Sequence, residues 1–312
     1  MAIAETTVNS NTKDYRANSL WRLTLRRIFR QRSAVVGMTI FAILLLVAIF
    51  APVIAPYNPD QVLIGIENVQ KRSAPCIHLL GCPADQPQHI LGIDGNVRDE
   101  FSRIIFGTRV SLYVGISTVS FAIIVGTFLG ALAGFLGGWV DNIIMRLLDV
   151  LMAFPSLLLA ITIVSVLGKG LQNALLAIAI VSIPIYARVV RASVLSVKEN
   201  EYVAASRALG ASGFHVLVSR ILPNAVSPLI VQGTLGIATA ILDAAALSFL
   251  GLGAQPPTPE WGTMLGSERS QVFTAPHLVF FPGIAIMITV LAFNLLGDGL
   301  RDAIDPRLNQ TD

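Results

Sequence analysis

Two cysteines and two histidines stand close enough in sequence to do chemistry. In CIHLLGC, Cys76 and Cys82 have five residues between them, with His78 inside the loop and His89 a little beyond. Thiolate and imidazole bind soft and borderline metal ions, and two thiols in an oxidising compartment form a disulfide. The spacing is not a standard zinc pattern, so no metal site is assigned. A Cys76–Cys82 disulfide is the expectation, with two free thiols as the alternative. The acids offer less. Asp149 sits near the end of an apolar run, and Asp243 is the one isolated acid inside one, ILDAAALSFLGLG. Asp243 either faces a pathway or bonds a neighbouring helix. His215 and His277 read as packing or interfacial residues, and Asn294 as a group that bonds across helices. No G-x-x-x-x-G-K-[ST] phosphate loop occurs, since Gly168-Lys169-Gly170 fails at both ends of the pattern. No metal-ligand cluster or nucleophile constellation supports an enzyme.

The elements that would position these residues are set by composition. Of 312 residues, 54% are hydrophobic and 13% charged, and mean hydropathy is +0.70. A soluble domain carries about 25% charged residues, so an all-α polytopic membrane protein is expected. The net charge of +3 is too small to suggest nucleic acid. About 20 apolar residues cross a bilayer. Six uncharged runs reach 18 residues: Val35 to Ile54, Val110 to Val140, Val150 to Gly168, Gly170 to Ala187, Ile221 to Leu242 and Ser270 to Gly297. The second and sixth exceed one crossing, so part of each is expected to tilt or lie at the interface. With both termini in the cytoplasm, 15 of the 22 basic residues fall inside, among them Arg146 in a turn. That imbalance favours an N-in, C-in orientation. The chain then divides into a cytoplasmic tail 1–33, a transmembrane domain 34–300 with an external loop 57–109 and a cytoplasmic loop 188–225, and a cytoplasmic tail 301–312.

Local patterns add detail. Between Ser19 and Arg32, Trp21, Leu25, Ile28 and Phe29 share one helical face, and Arg22, Arg26 and Arg30 another. That is the pattern of a basic helix on the lipid surface. Gly126, Gly130, Gly134 and Gly138 line one side of the second span and admit a close neighbour. Pro155 and Pro184 should kink their spans. In the loop, Glu201 to Leu209 reads as a helix capped by Gly210. Phe214 to Leu222 reads as a second one ended at Pro223. Ala204, Ala205 and Ala208 give the first a flat face suited to docking in a groove.

The stretch EYVAASRALGASGFHVLVSRILP, Glu201 to Pro223, resembles the "EAA" loop of ATP-binding-cassette importer permeases, E-A-A-x3-G-x9-I-x-L-P. Gly210 aligns with its glycine and Leu222-Pro223 with its terminal pair. The Glu position holds Ala204, with Glu201 three residues earlier, and the Ile position holds Arg220. Three further stretches are similar to the C-type subunit of dipeptide, oligopeptide and nickel permeases. They are HILGIDGNVRDEFSRIIFGTRVSL (His89 to Leu112), RLLDVLMAFPSLLLAI (Arg146 to Ile161) and LSFLGLGAQPPTPEWGTML (Leu247 to Leu265). In the first, Val97 replaces a glycine, which puts a tight turn there in question. Asp243 stands where that family has Glu.

The resemblance implies a type I importer permease fold of six spans in the plasma (inner) membrane of a prokaryote. It implies a second, unlike permease, two ATPase subunits and an external substrate-binding protein, and it makes the loop holding Glu201, Ala204, Ala205, Gly210, Leu222 and Pro223 the ATPase-coupling segment. This chain would bind no cofactor; ATP and Mg2+ would sit in the partner ATPases. Short peptides are the expected cargo, with nickel or another small solute as the alternative. An ion-coupled secondary transporter is the rival class. It would want an inverted repeat and buried coupling residues, and Asp243 is the one candidate.

Overall fold

The computed structural model describes Phe29 and residues 31–304. The surface helix expected over Ser19–Arg32 falls outside the described residues except at its end. Nine helices make up most of the described chain: α1 (Arg32–Ile54), α2 (Glu100–Leu136), α3 (Gly138–Met152), α4 (Ser156–Leu167), α5 (Leu171–Val197), α6 (Glu201–Ala208), α7 (Gly213–Phe249), α8 (Trp261–Glu268) and α9 (His277–Ile304). No β-strand forms among the described residues, only three isolated bridges in the loop 55–99.

Five helices (α1, α2, α5, α7 and α9) are long and apolar enough to cross a membrane, and counting the bent pair α3–α4 as one gives six. The number agrees with the sequence, but several boundaries do not. The second span begins at Glu100, ten residues before its apolar run, because Asp99 caps it: the Asp99 carboxylate accepts from the Ser102 N–H at 2.7 Å. It ends at Leu136, since Gly137 and Gly138 both take positive φ, +66° and +57°, and so Trp139 and Val140 belong to α3. Arg146 sits in that helix rather than in a turn.

The third span departs most. Its helix α4 has 12 residues, about 18 Å at 1.5 Å per residue, against roughly 30 Å of hydrocarbon. The chain bends by 91° between α3 and α4. Pro155, which has no N–H to continue α3, stands at the turn. Pro184, by contrast, stays inside one unbroken helix. The sixth run is helical only from His277; Arg269–Gln271 is a separate 3-10 turn.

Packing follows the small residues. Helix α2 lies against α5 more extensively than any other pair of elements. A Cβ on Gly126 would meet Tyr186, one on Gly130 the Ala187 carbonyl, and one on Gly134 the Arg191 carbonyl and Val194. The neighbour of the glycine stripe is therefore in this chain, and Gly138 takes no part. Helix α7 packs on α2, α5 and α9, and α1 on α9. Pro52 has no N–H for the Ala48 carbonyl in α1, and the Arg109 guanidinium of α2 donates to that carbonyl and to the next, Ile49.

Candidate functional site

Helix α2, 37 residues and about 55 Å long, joins two unlike ends. Its first end meets the loop 55–99 and α8. Its last end meets α6 and the start of α7.

At the far end, α6 stands on two buried valines, Val203 and Val216, and on Ile221, all in the main core. Gly210 has φ +85°. Its N–H donates to the Arg207 carbonyl and the Ala211 N–H to the Ser206 carbonyl, the Schellman arrangement that needs a left-handed residue. Ser212 then caps the next turn, its hydroxyl accepting from the His215 N–H. The second helix does not end at Pro223. It continues to Phe249, because a π turn over Leu217–Ile221 opens the ladder where the proline lacks an N–H. The Arg220 carbonyl accepts from the side-chain amide of Asn224 at 2.7 Å.

Glu201, Ala204, Ala205, Ala208, Gly210 and Pro223 are exposed, and Leu222 is half-buried. Leu209 and Phe214 project furthest, 89% and 77% exposed. The attachment to α2 is light. Lys198 Nζ donates to the Gly134 carbonyl at 3.1 Å, and the Arg207 guanidinium lies over the Phe135 ring. Two arginines of α5 hold α3 beside it: Arg191 on Asp141, and Arg188 on Asp149.

The other end is wired. His89, 3% exposed, lies between two carboxylates, with Nδ1 2.8 Å from Asp99 and Nε2 3.0 Å from Glu67. An imidazole satisfies two acceptors only when both nitrogens carry protons. Burial lowers the His89 pKa, but the hydrogen bonds its ring donates to Asp99 and Glu67 outweigh that and raise it above the ordinary value. Tyr57 stacks on the imidazole and donates to Glu67 at 2.9 Å. Burial and that carboxylate push its phenol up to about 12. Asp94 accepts from the Asn96 and Arg98 N–H groups and from the Arg98 guanidinium, each at 2.8 Å. Arg103 donates to the carbonyls of Pro59 and Pro257, and Glu268 pairs with Arg72. Glu260 caps α8 through the Gly262 and Thr263 N–H groups. Its burial raises its pKa against those bonds. The Trp261 indole donates to the Ile104 carbonyl of α2.

Within this end the turn at Val97 survives the loss of glycine. Val97 takes φ +59° while 2% exposed, packed with Leu63 and Ile93. Cys76 and Cys82 lie with Cα atoms 5.4 Å apart, joined as a disulfide, and His89 is committed to carboxylates. Among the described residues no group of three metal-ligating side chains forms. Sequence reasoning missed this network. Its signal was the density of acids and arginines in IDGNVRDEFSR just before an apolar run. Asp243 lies apart from both ends, half-buried in α7.

Residues 126–310 match the family of binding-protein-dependent transport system inner membrane components. Residues 19–75 match the N-terminal transmembrane domain of oligopeptide transport permease C. The chain is 47% identical over 299 residues to the dipeptide transport system permease protein DppC of Alkalihalophilus pseudofirmus, covering 94% of this chain and 92% of that one. It is 45% identical over 296 residues to the glutathione transport system permease protein GsiD of Pectobacterium atrosepticum, covering 95% and 94%. In structure it superposes on a chain of the inward-facing MetNI methionine ABC transporter in two crystal forms. TM-scores are 0.53 and 0.55, each at 19% identity, covering 66% and 65% of this chain and 98% and 97% of that one. That likeness shows the fold, the type I importer permease fold. A bundle of five to six apolar spans, matched along most of its length by transport permeases, belongs to the family of binding-protein-dependent transport system inner membrane components.

Proposed function

We propose that this chain is one of two unlike transmembrane subunits of an ATP-driven importer for short peptides in the inner membrane of a bacterium. Its own part is to form half of the passage and to receive motion from an ATPase. The observation that carries this is the far end of α2. A helix with exposed Ala204, Ala205 and Ala208, flanked by Leu209 and Phe214, stands on buried valines rooted in the core. An unpartnered apolar projection of that kind calls for a protein surface over it.

The orientation follows from the basic residues: α6 faces the cytoplasm and the loop 55–99 faces outward, towards a substrate-binding protein. A push on Glu201, Ala204 and Ala205 passes through Val203 and Val216 into α5 and α7. Alternating access is then a rigid-body shift of this bundle against its partner permease. ATP and Mg2+ belong to two ATPase subunits, and this chain binds neither. The dipeptide and glutathione relatives support a peptide cargo.

Purification of the chain from gently solubilised native membranes tests this. A second permease, an ATPase and a substrate-binding protein should copurify, and the reconstituted set should take up labelled dialanine on ATP hydrolysis. Recovery of the chain alone, while other membrane complexes survive the same preparation, would refute the reading.

A further inference from the structure

We infer that Asp243 binds the protonated amino group of the cargo as it crosses. This rests on the peptide-import reading above, and it names the chemistry that Asp243 would recognise.

Asp243 lies six residues before the end of α7 at Phe249, about 9 Å along the helix. The rest of the helix circumference there is covered. Ile241 fills the space over Gly115 of α2. Ala240, Ala244 and Leu247 enter the main core with α5. Ala238 packs with Phe293 of α9, and the Ala245 backbone meets Gly262 of α8. Among the described residues one strip stays open: Thr239, Leu242 and Leu250 are exposed, with Asp243 half-buried at its margin. Asp141 and Asp149 of α3 differ, since each holds an arginine of α5. Asp243 has no ion pair and no side-chain hydrogen bond among the described residues.

A carboxylate facing hydrocarbon without a cation is costly, and acids at that depth face water or a partner of opposite charge. The strip therefore borders the passage. What should meet the carboxylate there is a cation that comes and goes, and the relatives' cargoes indicate which. Dipeptides and glutathione differ in length and side chains but share a free ammonium group. An ammonium–carboxylate contact in a partly dry passage is a charge-assisted hydrogen bond.

The test uses the whole transporter with its binding protein in proteoliposomes. Uptake of dialanine is compared for wild type and Asp243→Asn at pH 7 and pH 9, with binding-protein-stimulated ATP hydrolysis measured in parallel. The same binding protein serves both, so its own preference cancels in the ratio. At pH 7 the wild type should exceed D243N about tenfold, with stimulated hydrolysis within about twofold. At pH 9 the α-amine, with a pKa near 8, has lost its proton, and the ratio should fall to about twofold. Equal uptake at pH 7 overturns the inference. So does a large ratio that persists at pH 9, or a loss of partner subunits or of stimulated hydrolysis, because each puts a fixed cation of the assembly, not the cargo, on Asp243. If the wild type itself takes up no peptide, the peptide reading fails first and this inference with it.

Discussion

The two ends of α2 are built on opposite principles. At the loop end, His89, Asp94, Asp99, Arg103, Glu260 and Glu268 are buried and most of their polar atoms are paired. Fixing so many groups is affordable only if each finds its partner, since a buried charge without one is costly. At the far end, the segment from Lys198 to Ile221 touches the bundle through a few buried aliphatics, one lysine and one arginine. The first end gains rigidity from its network. The second keeps an apolar tip in the open, which suits a surface that must be met and moved by another protein. On the function proposed above, the first end is the fixed mouth and the second the lever.

The contrast predicts that substitutions at the loop end move stability and those at the far end move coupling. Asp99→Ala should have the largest effect on stability. It leaves the buried His89 imidazolium with Glu67 alone, removes the α2 cap, and should cost about 3–5 kcal/mol. The check is the thermal unfolding of the detergent-solubilised complex, and an unchanged midpoint would break the comparison. Gly130→Val tests the shaft between the ends. Its side chain would collide with the Ala187 carbonyl and should cost about 1–3 kcal/mol by overpacking, lowering the yield of assembled complex.

Next comes pH. Because the folded state raises the His89 pKa, its contribution is complete below the unfolded value near 6.5 and is lost as pH rises through the folded one. Amide exchange in residues 57–99 should therefore speed up on the alkaline side, beyond the intrinsic rate increase. His89→Gln, which carries no titrating proton, should remove that extra dependence.

At the far end the order inverts. Gly210→Val meets no neighbour, for nothing lies within 4 Å of the Cβ position, but φ +85° strains any side chain. The local cost is about 1–2 kcal/mol, while transport per ATP should drop severalfold. Normal stoichiometry in that variant would remove α6 from the coupling role. Leu209→Ser should be smallest in stability, within about 0.5 kcal/mol for so exposed a side chain. It should still weaken copurification of the ATPase.

The spans, the α6 helix with its cap at Gly210 and the absence of a nucleotide loop were legible in residue order, because each depends on local rules of hydropathy, capping and φ. The bend at Pro155 was half legible: a proline announces a break but not its angle. The helical path through Pro223 was hidden, because a proline either ends a helix or is passed by a π turn, and residue order alone does not choose between them. The Val97 turn ran against local expectation. Burial with Leu63 and Ile93 offsets an unfavourable backbone angle that the residue type alone argues against.

Composition and the length of the apolar runs by themselves determined that this chain spans a membrane, with six runs long enough to cross as helices, since hydrocarbon accepts only backbones that bond internally. Residue spacing also set the small-residue stripe of α2. Which helix receives that stripe, which acids find arginines, and that Asp243 finds none among the described residues were decided only by the tertiary structure. Partners far apart in sequence meet through packing, and no local pattern encodes where a side chain's charge will be answered.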